Sequence, residues 1–207
     1  MEYDSNQFKK PIGESGRHVI NLMNDHHRGV TEWGISKIPC INPGHVLDIG
    51  CGGGMCIGIL EKKYSNAKIT GIDLSEESVA ATKEYNEKII KEERLEVFEY
   101  DVSNLPLEGK SFDLITAVET YFFWPDLKND ISKVSQNLSK DGIFIIVSEM
   151  SYKDGNDEAI KKMNDTYGSK IIQNEIVAEY MKVSNLDVQV ITDKNSHWVA
   201  FVGKRID

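Results

Sequence analysis

Three acids and a run of glycines carry the chemistry most readily read from this chain. Asp48 stands in Val46-Leu47-Asp48-Ile49-Gly50-Cys51-Gly52-Gly53-Gly54, Asp73 in Gly71-Ile72-Asp73-Leu74-Ser75, and Asp101 in Glu99-Tyr100-Asp101-Val102-Ser103. The glycines allow a sharp turn and a close backbone approach to a ligand, and they present N–H groups at the start of a helix. Gly50 and Gly52 fit the first two positions of the G-x-G-x-x-G dinucleotide pattern, but Met55 takes the third. A carboxylate at Asp48 would repel a pyrophosphate and suits a ligand carrying an ammonium group. Asp73 lies 19 residues after Gly54, a spacing at which a strand-end acid accepts hydrogen bonds from both ribose hydroxyls. Asp101 could accept from an adenine amino group while the Val102 N–H meets a ring nitrogen. No Gly-Lys-Ser/Thr follows the loop, so a Walker phosphate loop is excluded.

The elements that must position these groups follow from the hydrophobic pattern. HVLDIG, AKITGID, LEVFEYD, FDLITAV and GIFIIVSEM read as five strands. They alternate with helical stretches: MCIGILEKKY, a long SEESVAATKEYNEKIIKEE with Ser75 as N-cap, and a helix opened by Pro125-Asp126. Residues 151–184 read as two polar helices, and LDVQVITD and HWVAFVGK as a closing hairpin. Alternating β and α units predict an α/β, Rossmann-like doubly wound parallel sheet with helices on both faces, closed by one antiparallel strand. Ligands on such sheets bind beyond the C-terminal strand ends, where all three acids fall. Ahead of this, residues 1–43 are expected to form two short helices, broken near Gly29 and ended by Pro39.

Composition sets outer bounds. The 207 residues suit one domain, and 24 basic against 33 acidic residues give a net charge of −9. That balance disfavours a polyanionic partner such as nucleic acid. No apolar run approaches the ~20 residues of a bilayer span. The opening MEYDSNQFKKP has no apolar core, so no secretory signal is expected. Cys40, Cys51 and Cys56 form no CxxC pair, which fits buried or loop thiols in a reducing cytoplasm.

In order along the chain, VLDIGCGGG, GIDLS, EYDVSNLP, FDLITAVETYFFWPD, LSKDGIFIIVSE and the closing hairpin resemble the motifs of class I S-adenosylmethionine-dependent methyltransferases. The similarity covers about residues 44–203. Within the superfamily it is similar to the small methyltransferases that resemble the ubiquinone/menaquinone-biosynthesis enzymes. The resemblance implies a seven-stranded sheet of order 3-2-1-4-5-7-6 with strand 7 antiparallel, an N-terminal helical lid (1–43) and a core (44–207). It implies S-adenosylmethionine as cofactor, with Gly50 and Gly52 at its methionine part, Asp73 with Leu74 at the ribose, and Asp101 with Val102 at the adenine. Val118 and Glu119 would flank the sulfonium.

Methyl transfer is an in-line displacement, so the protein chiefly aligns and desolvates a nucleophile. On the acceptor side the expected residues are Glu119, Tyr121 and His27. Glu119 offers a carboxylate beside a sulfonium. Of Tyr121, Phe122, Phe123 and Trp124, some should pack in the core and one or two face the pocket. Related sequences often carry histidines where Phe122 and Phe123 stand, which removes a base there. His27 is preferred to His26 because family members often show Met-Asn-x-x-His, and adjacent histidines on a helix point different ways. His18 and His197 read as packing and strand-edge residues. The acidic-basic mix of 153–170 reads as a solvated helix face, with an acceptor-binding flap as the sharper alternative. Asn129-Asp130 falls inside a helix, so no metal site is expected. Pro39-Cys40 reads as a helix terminator with a buried thiol. The partner expected is a small organic acceptor, and the chain a monomer or homodimer. Two rival classes are a nicotinamide-dependent oxidoreductase, disfavoured by Met55 and the lack of a second βαβ half, and a cofactor-binding protein without transfer activity.

Overall fold

The computed structural model describes residues 4–106, 109–152 and 155–206. Positions 153 and 154 of the polar stretch 153–170 therefore lie outside the described residues, as do positions 1–3 of the expected lid. The elements are α1 (Asn6–Lys9), α2 (Gly13–Ser36), β1 (His45–Ile49), α3 (Met55–Lys63), β2 (Lys68–Asp73), α4 (Glu76–Tyr85), α5 (Glu87–Lys91) and β3 (Leu95–Glu99). They continue as β4 (Phe112–Val118), α6 (Leu127–Gln136), β5 (Leu138–Ser148), α7 (Asp157–Tyr167), α8 (Asn174–Lys182), β6 (Leu186–Thr192) and β7 (Val199–Arg205). Short 3-10 turns at Val102–Asn104 and Tyr121–Phe123 follow the third and fourth strands.

One seven-stranded sheet runs in the order β3-β2-β1-β4-β5-β7-β6. β1 to β5 pair in parallel, and β7 is antiparallel to both β5 and β6. This is the expected Rossmann-like architecture. Strand side chains alternate between faces, so two cores form. Leu47, Ile115, Phe144 and Phe201 pack with Ile131 of α6 and Val177 of α8. Val46, Leu114, Ile145 and Val202 pack on the other face with Val30 of α2 and Ile57 of α3. The order reverses at β1/β4, which places the β1–α3 glycine turn at the switch point.

The front of the chain departs from expectation. α2 is one helix of 24 residues that runs straight through Gly29. A glycine inside a helix costs about 1 kcal/mol relative to alanine, but here absent bulk serves packing: a Cβ on Gly29 would stand 3.2 Å from the Trp198 ring. One turn later a Cβ on Gly34 would meet the Val147 side chain at 2.5 Å, so α2 lies directly on β5. The C-terminal half of α2 belongs to the core, and α1 alone is a short strap in front of it. The long helix expected after Ser75 is also interrupted, at Asn86. The Asn86 side chain donates to Gly54 O at 2.9 Å and to Thr82 O at 3.0 Å, which ties the break to the glycine turn.

Candidate methyl-transfer site

The glycine turn is built by positive backbone angles. Gly50, Gly52 and Gly54 have φ of +71°, +53° and +80°, values that exclude most side chains without strain. A Cβ on Gly50 would also sit 2.3 Å from Thr120 Oγ1. Space beside Gly52 is open, with no atom within 4 Å of a built Cβ. Asp73 accepts from Gly52 N (2.9 Å) with one oxygen and from Ser75 N (3.0 Å) with the other. Burial pushes its pKa up, and these N–H donors oppose that. Two connected chambers result, of about 100 and 110 Å³. The first is lined by Asp48, Gly50, Gly52, Asp73, Val118 and Glu119. The second takes in Gly50, Asp73, Leu74, Asp101 and Val102. The whole set expected from the sequence for the cofactor thus lies on one continuous surface. Asp101 Oδ1 accepts from Ser103 N at 2.8 Å and caps the 3-10 turn, and the residue lines the second chamber.

Asp48 is 1% exposed. Its Oδ1 accepts from Thr116 Oγ1 at 2.5 Å and Cys56 Sγ at 3.4 Å. Its Oδ2 is buried and has no hydrogen-bond partner. Burial raises the carboxyl to a pKa of about 6, against the pull of those two donors. A buried carboxylate with an unpaired oxygen on a chamber wall is costly in isolation and is resolved by a cationic ligand group. Neutral thiols complete the floor: Cys51 and Cys56 are buried, and burial pushes both up.

A third cavity, of about 390 Å³, adjoins the first through Phe8, Met23, His27, Glu119 and Phe123. Leu22, Phe122, Met163, Tyr167 and Ile171 make it largely apolar, and His26, His27, Glu119 and Glu149 form a polar corner. Glu119 has a φ of +54°, a left-handed backbone rare for a non-glycine residue. That turn aims its carboxylate back over the sheet, where Oε1 accepts from Glu149 N. Burial and the neighbouring Glu149 raise its pKa well above the usual range. His27 is lowered to about 4 by burial and then by His26, so it is a neutral imidazole at pH 7.

Both adjacent histidines face this cavity, contrary to the expectation that one would. Glu149 lies between them, 3.1 Å from His26 Nε2 and 3.9 Å from His27 Nε2. Tyr121 does not join the site. It is 2% exposed in the core beneath and lines none of the three cavities. Its neighbours Phe122 and Phe123 reach the acceptor side instead, and Trp124 stacks on Phe144. Cys40, expected to be buried, is exposed in the loop after α2. Asp130 is a structural acid: it accepts from Ser103 Oγ at 2.8 Å and Asp126 N at 3.1 Å. His18 and His197 are exposed. The stretch taken as a solvated helix face does more, since Ile160 is fully buried and Met163 and Tyr167 wall the cavity.

Sequence reasoning missed Glu149, Phe8 and Lys9. Glu149 carried one available signal, an acid at the C-terminal end of a parallel strand, like Asp48 and Asp73. Phe8 lines the first and third cavities and Lys9 the first and second. Nothing in the pattern of residues 4–12 marks them.

Comparison with known proteins agrees with this geometry. Residues 46–142 match the family model described as Methyltransferase domain. Sterol 24-C-methyltransferase ERG6B of Gibberella zeae is 34% identical over 106 residues, which is 50% of this chain but only 27% of that protein. The uncharacterized methyltransferase YdaC of Bacillus subtilis is 21% identical over 168 residues, covering 81% of this chain and 87% of the relative. The structure of human N-acetylserotonin methyltransferase in complex with S-adenosylmethionine superposes with a TM-score of 0.76 at 14% identity, over 94% of this chain and 57% of that one. Residues 46–142, just under half of the chain, thus match a methyltransferase domain, and they contain the glycine turn at the switch point of a sheet whose order is the one expected from the resemblance to class I methyltransferases.

Proposed function

We propose that the protein transfers a methyl group from S-adenosylmethionine to a small organic acceptor held in the 390 Å³ cavity. The observation that carries this is the continuity of three compartments: an acidic, glycine-walled pair of chambers opening at Glu119 and Phe123 into a mostly apolar cavity. When bound, the cofactor supplies a methyl group made electrophilic by its sulfonium. The chain's own residues fit that group. Asp48 Oδ2, buried and unpaired, would meet the ammonium, Gly50 and Gly52 leave room for the methionine part, Asp73 would accept from the ribose with Leu74 beside it, and Asp101 and Val102 would read the adenine. Val118 and Glu119 stand where the chambers meet the acceptor cavity, so the Glu119 carboxyl, held toward its neutral form by burial, would lie beside the sulfonium, whose charge would favour its ionisation. α1 covers the opening as a lid, with Lys9 on the cofactor side and Phe8 on the acceptor side. Water exclusion by Phe8, Phe122 and Phe123 strengthens the electrostatics of the site. His27, neutral and at the boundary, is placed to orient the acceptor or take its proton.

The cavity size and apolar walls favour a small molecule over a polymer. Among the described residues no helix is long and apolar enough to cross a membrane. Calorimetric titration with S-adenosylhomocysteine is expected to give saturable heat, and an Asp73→Ala variant to lose most of it. The absence of heat at micromolar protein would overturn the proposal.

A further inference from the structure

We propose that His26, His27 and Glu149 form a three-ligand site for a divalent transition metal of the zinc type, and that the acceptor's thiol or hydroxyl fills its open position. One ring nitrogen of His26, one of His27 and a carboxylate oxygen of Glu149 all lie within 4.8 Å of one another. An ordinary ion pair accounts for one contact only, the 3.1 Å approach of His26 to Glu149 Oε2. It leaves His27 aimed at the other oxygen of the same carboxylate across 3.9 Å, too far for a hydrogen bond. Metal bonds of about 2.0–2.2 Å at tetrahedral angles put two ligand atoms on one ion about 3.4 Å apart, so the 3.1 Å separation is close to that value and the 3.9 Å one requires a shift of about half an ångström. The third is closed by a small swing of the exposed His26 ring.

The chemistry of the set selects the ion. Two imidazoles and one carboxylate suit borderline metals, whereas magnesium and calcium take oxygen sets. Three protein ligands with an open side are the arrangement of a site that binds substrate rather than one that only holds a fold. Here the open side is the acceptor cavity, which all three residues line. Glu119 lines the same space beside Glu149. The ligands come from two elements that are fixed against each other, since Gly34 of α2 packs on Val147 of β5.

This inference rests on the methyltransferase reading for its acceptor. On coordination the acceptor's X–H proton leaves to water, as ligands bind metals deprotonated. The X–C bond then forms as the C–S bond of the sulfonium breaks, and the electron pair stays on sulfur in S-adenosylhomocysteine. The site thus supplies an activated nucleophile where Phe122 and Phe123 offer no base, and His27 orients the acceptor as a metal ligand rather than taking its proton.

The test uses untagged protein stripped with a chelator, dialysed against Zn²⁺, with Co²⁺ as a spectroscopic probe. About one equivalent is expected to bind, and His26→Ala or Glu149→Gln to weaken uptake roughly tenfold or more. The cobalt spectrum should lack the thiolate charge-transfer band that Cys40 would produce. No saturable uptake, uptake undiminished in both variants, or a thiolate band would each overturn the metal site. S-adenosylhomocysteine titrations on the same stripped proteins keep the two readings apart. Unchanged cofactor-product binding without metal uptake sinks only this inference. Metal uptake without such binding supports the site and sinks the proposed methyl transfer.

Discussion

Replacing Asp48 by Asn should make the protein more stable and less able to bind its cofactor. The carboxyl is 1% exposed and its pKa is pushed from 3.8 to about 6. A folded-state value above the unfolded one means the native state binds more protons between the two. Stability from this group is therefore full below about pH 3.8 and lost as pH rises through 6. At pH 8 the ionised group costs about 2 units at 1.36 kcal/mol each, or about 3 kcal/mol. Asparagine removes that cost. Its Oδ1 can keep both donors, Thr116 Oγ1 and Cys56 Sγ, since both contact one oxygen. Its Nδ2 would stand where Oδ2 is unpaired, an orphaned donor worth about 1 kcal/mol in the other direction. The net gain is about 2 kcal/mol, or about 4–8 °C for a domain of this size. Thermal unfolding by circular dichroism at pH 8 and pH 5 reads it, and the gain should shrink as the wild-type acid protonates. No gain at pH 8, or an equal gain at both pH values, would refute the reasoning. Product titration at pH 8 completes the test, because an undiminished affinity would remove the ammonium from Asp48's role.

The other expectations are simpler. Gly50→Ala forces a side chain into φ +71° and against Thr120, so a loss of about 1–3 kcal/mol is expected, together with loss of product binding by calorimetry. His27, held at about 4 against an ordinary 6.5, favours the unfolded state's protonation between those values. Its contribution is full above pH 6.5 and falls by up to about 3 kcal/mol as pH drops toward 4. A His27→Gln variant should flatten that acid slope in denaturant titrations, compared pairwise with the parent because Asp48 acts in the opposite sense over part of the same window. Arg17 bridges Glu77 at 2.7 Å and Glu84 at 2.8 Å, but the pairs are partly exposed, so Arg17→Ala should cost less than about 1 kcal/mol by urea denaturation.

The sheet was legible because its strands are short apolar runs bounded by turn residues, and because βαβ handedness leaves few orders open. The three candidate acids were legible for a similar reason, since each falls at or just beyond the C-terminal end of a strand. Tertiary contacts decided the rest. Gly29 reads as a helix breaker until Trp198 is known to lie against it. Asn86 reads as an ordinary helical residue until it is seen to cap Gly54. Tyr121 and Phe122 are neighbours of one type in the sequence, and only the 3-10 turn that carries them sends one to the core and the other to the cavity. The two histidines diverge on an ideal helix wheel, yet a carboxylate placed between them lets both converge. A strap of four helical residues has no periodicity to detect.

That strap has a kinetic consequence. Ser75, the N-cap of α4 next to Asp73, donates its hydroxyl to Pro11 O at 2.6 Å, while Phe8 packs edge-on to Tyr167 with ring centroids 4.8 Å apart. The same few residues roof the cofactor chambers and wall the acceptor cavity. Any movement of these residues that opened the cofactor chambers would also remove a wall of the acceptor cavity. Under the proposed methyl transfer, compulsory-order addition with the cofactor first is the expected outcome, and product-inhibition kinetics check it: S-adenosylhomocysteine should compete with S-adenosylmethionine.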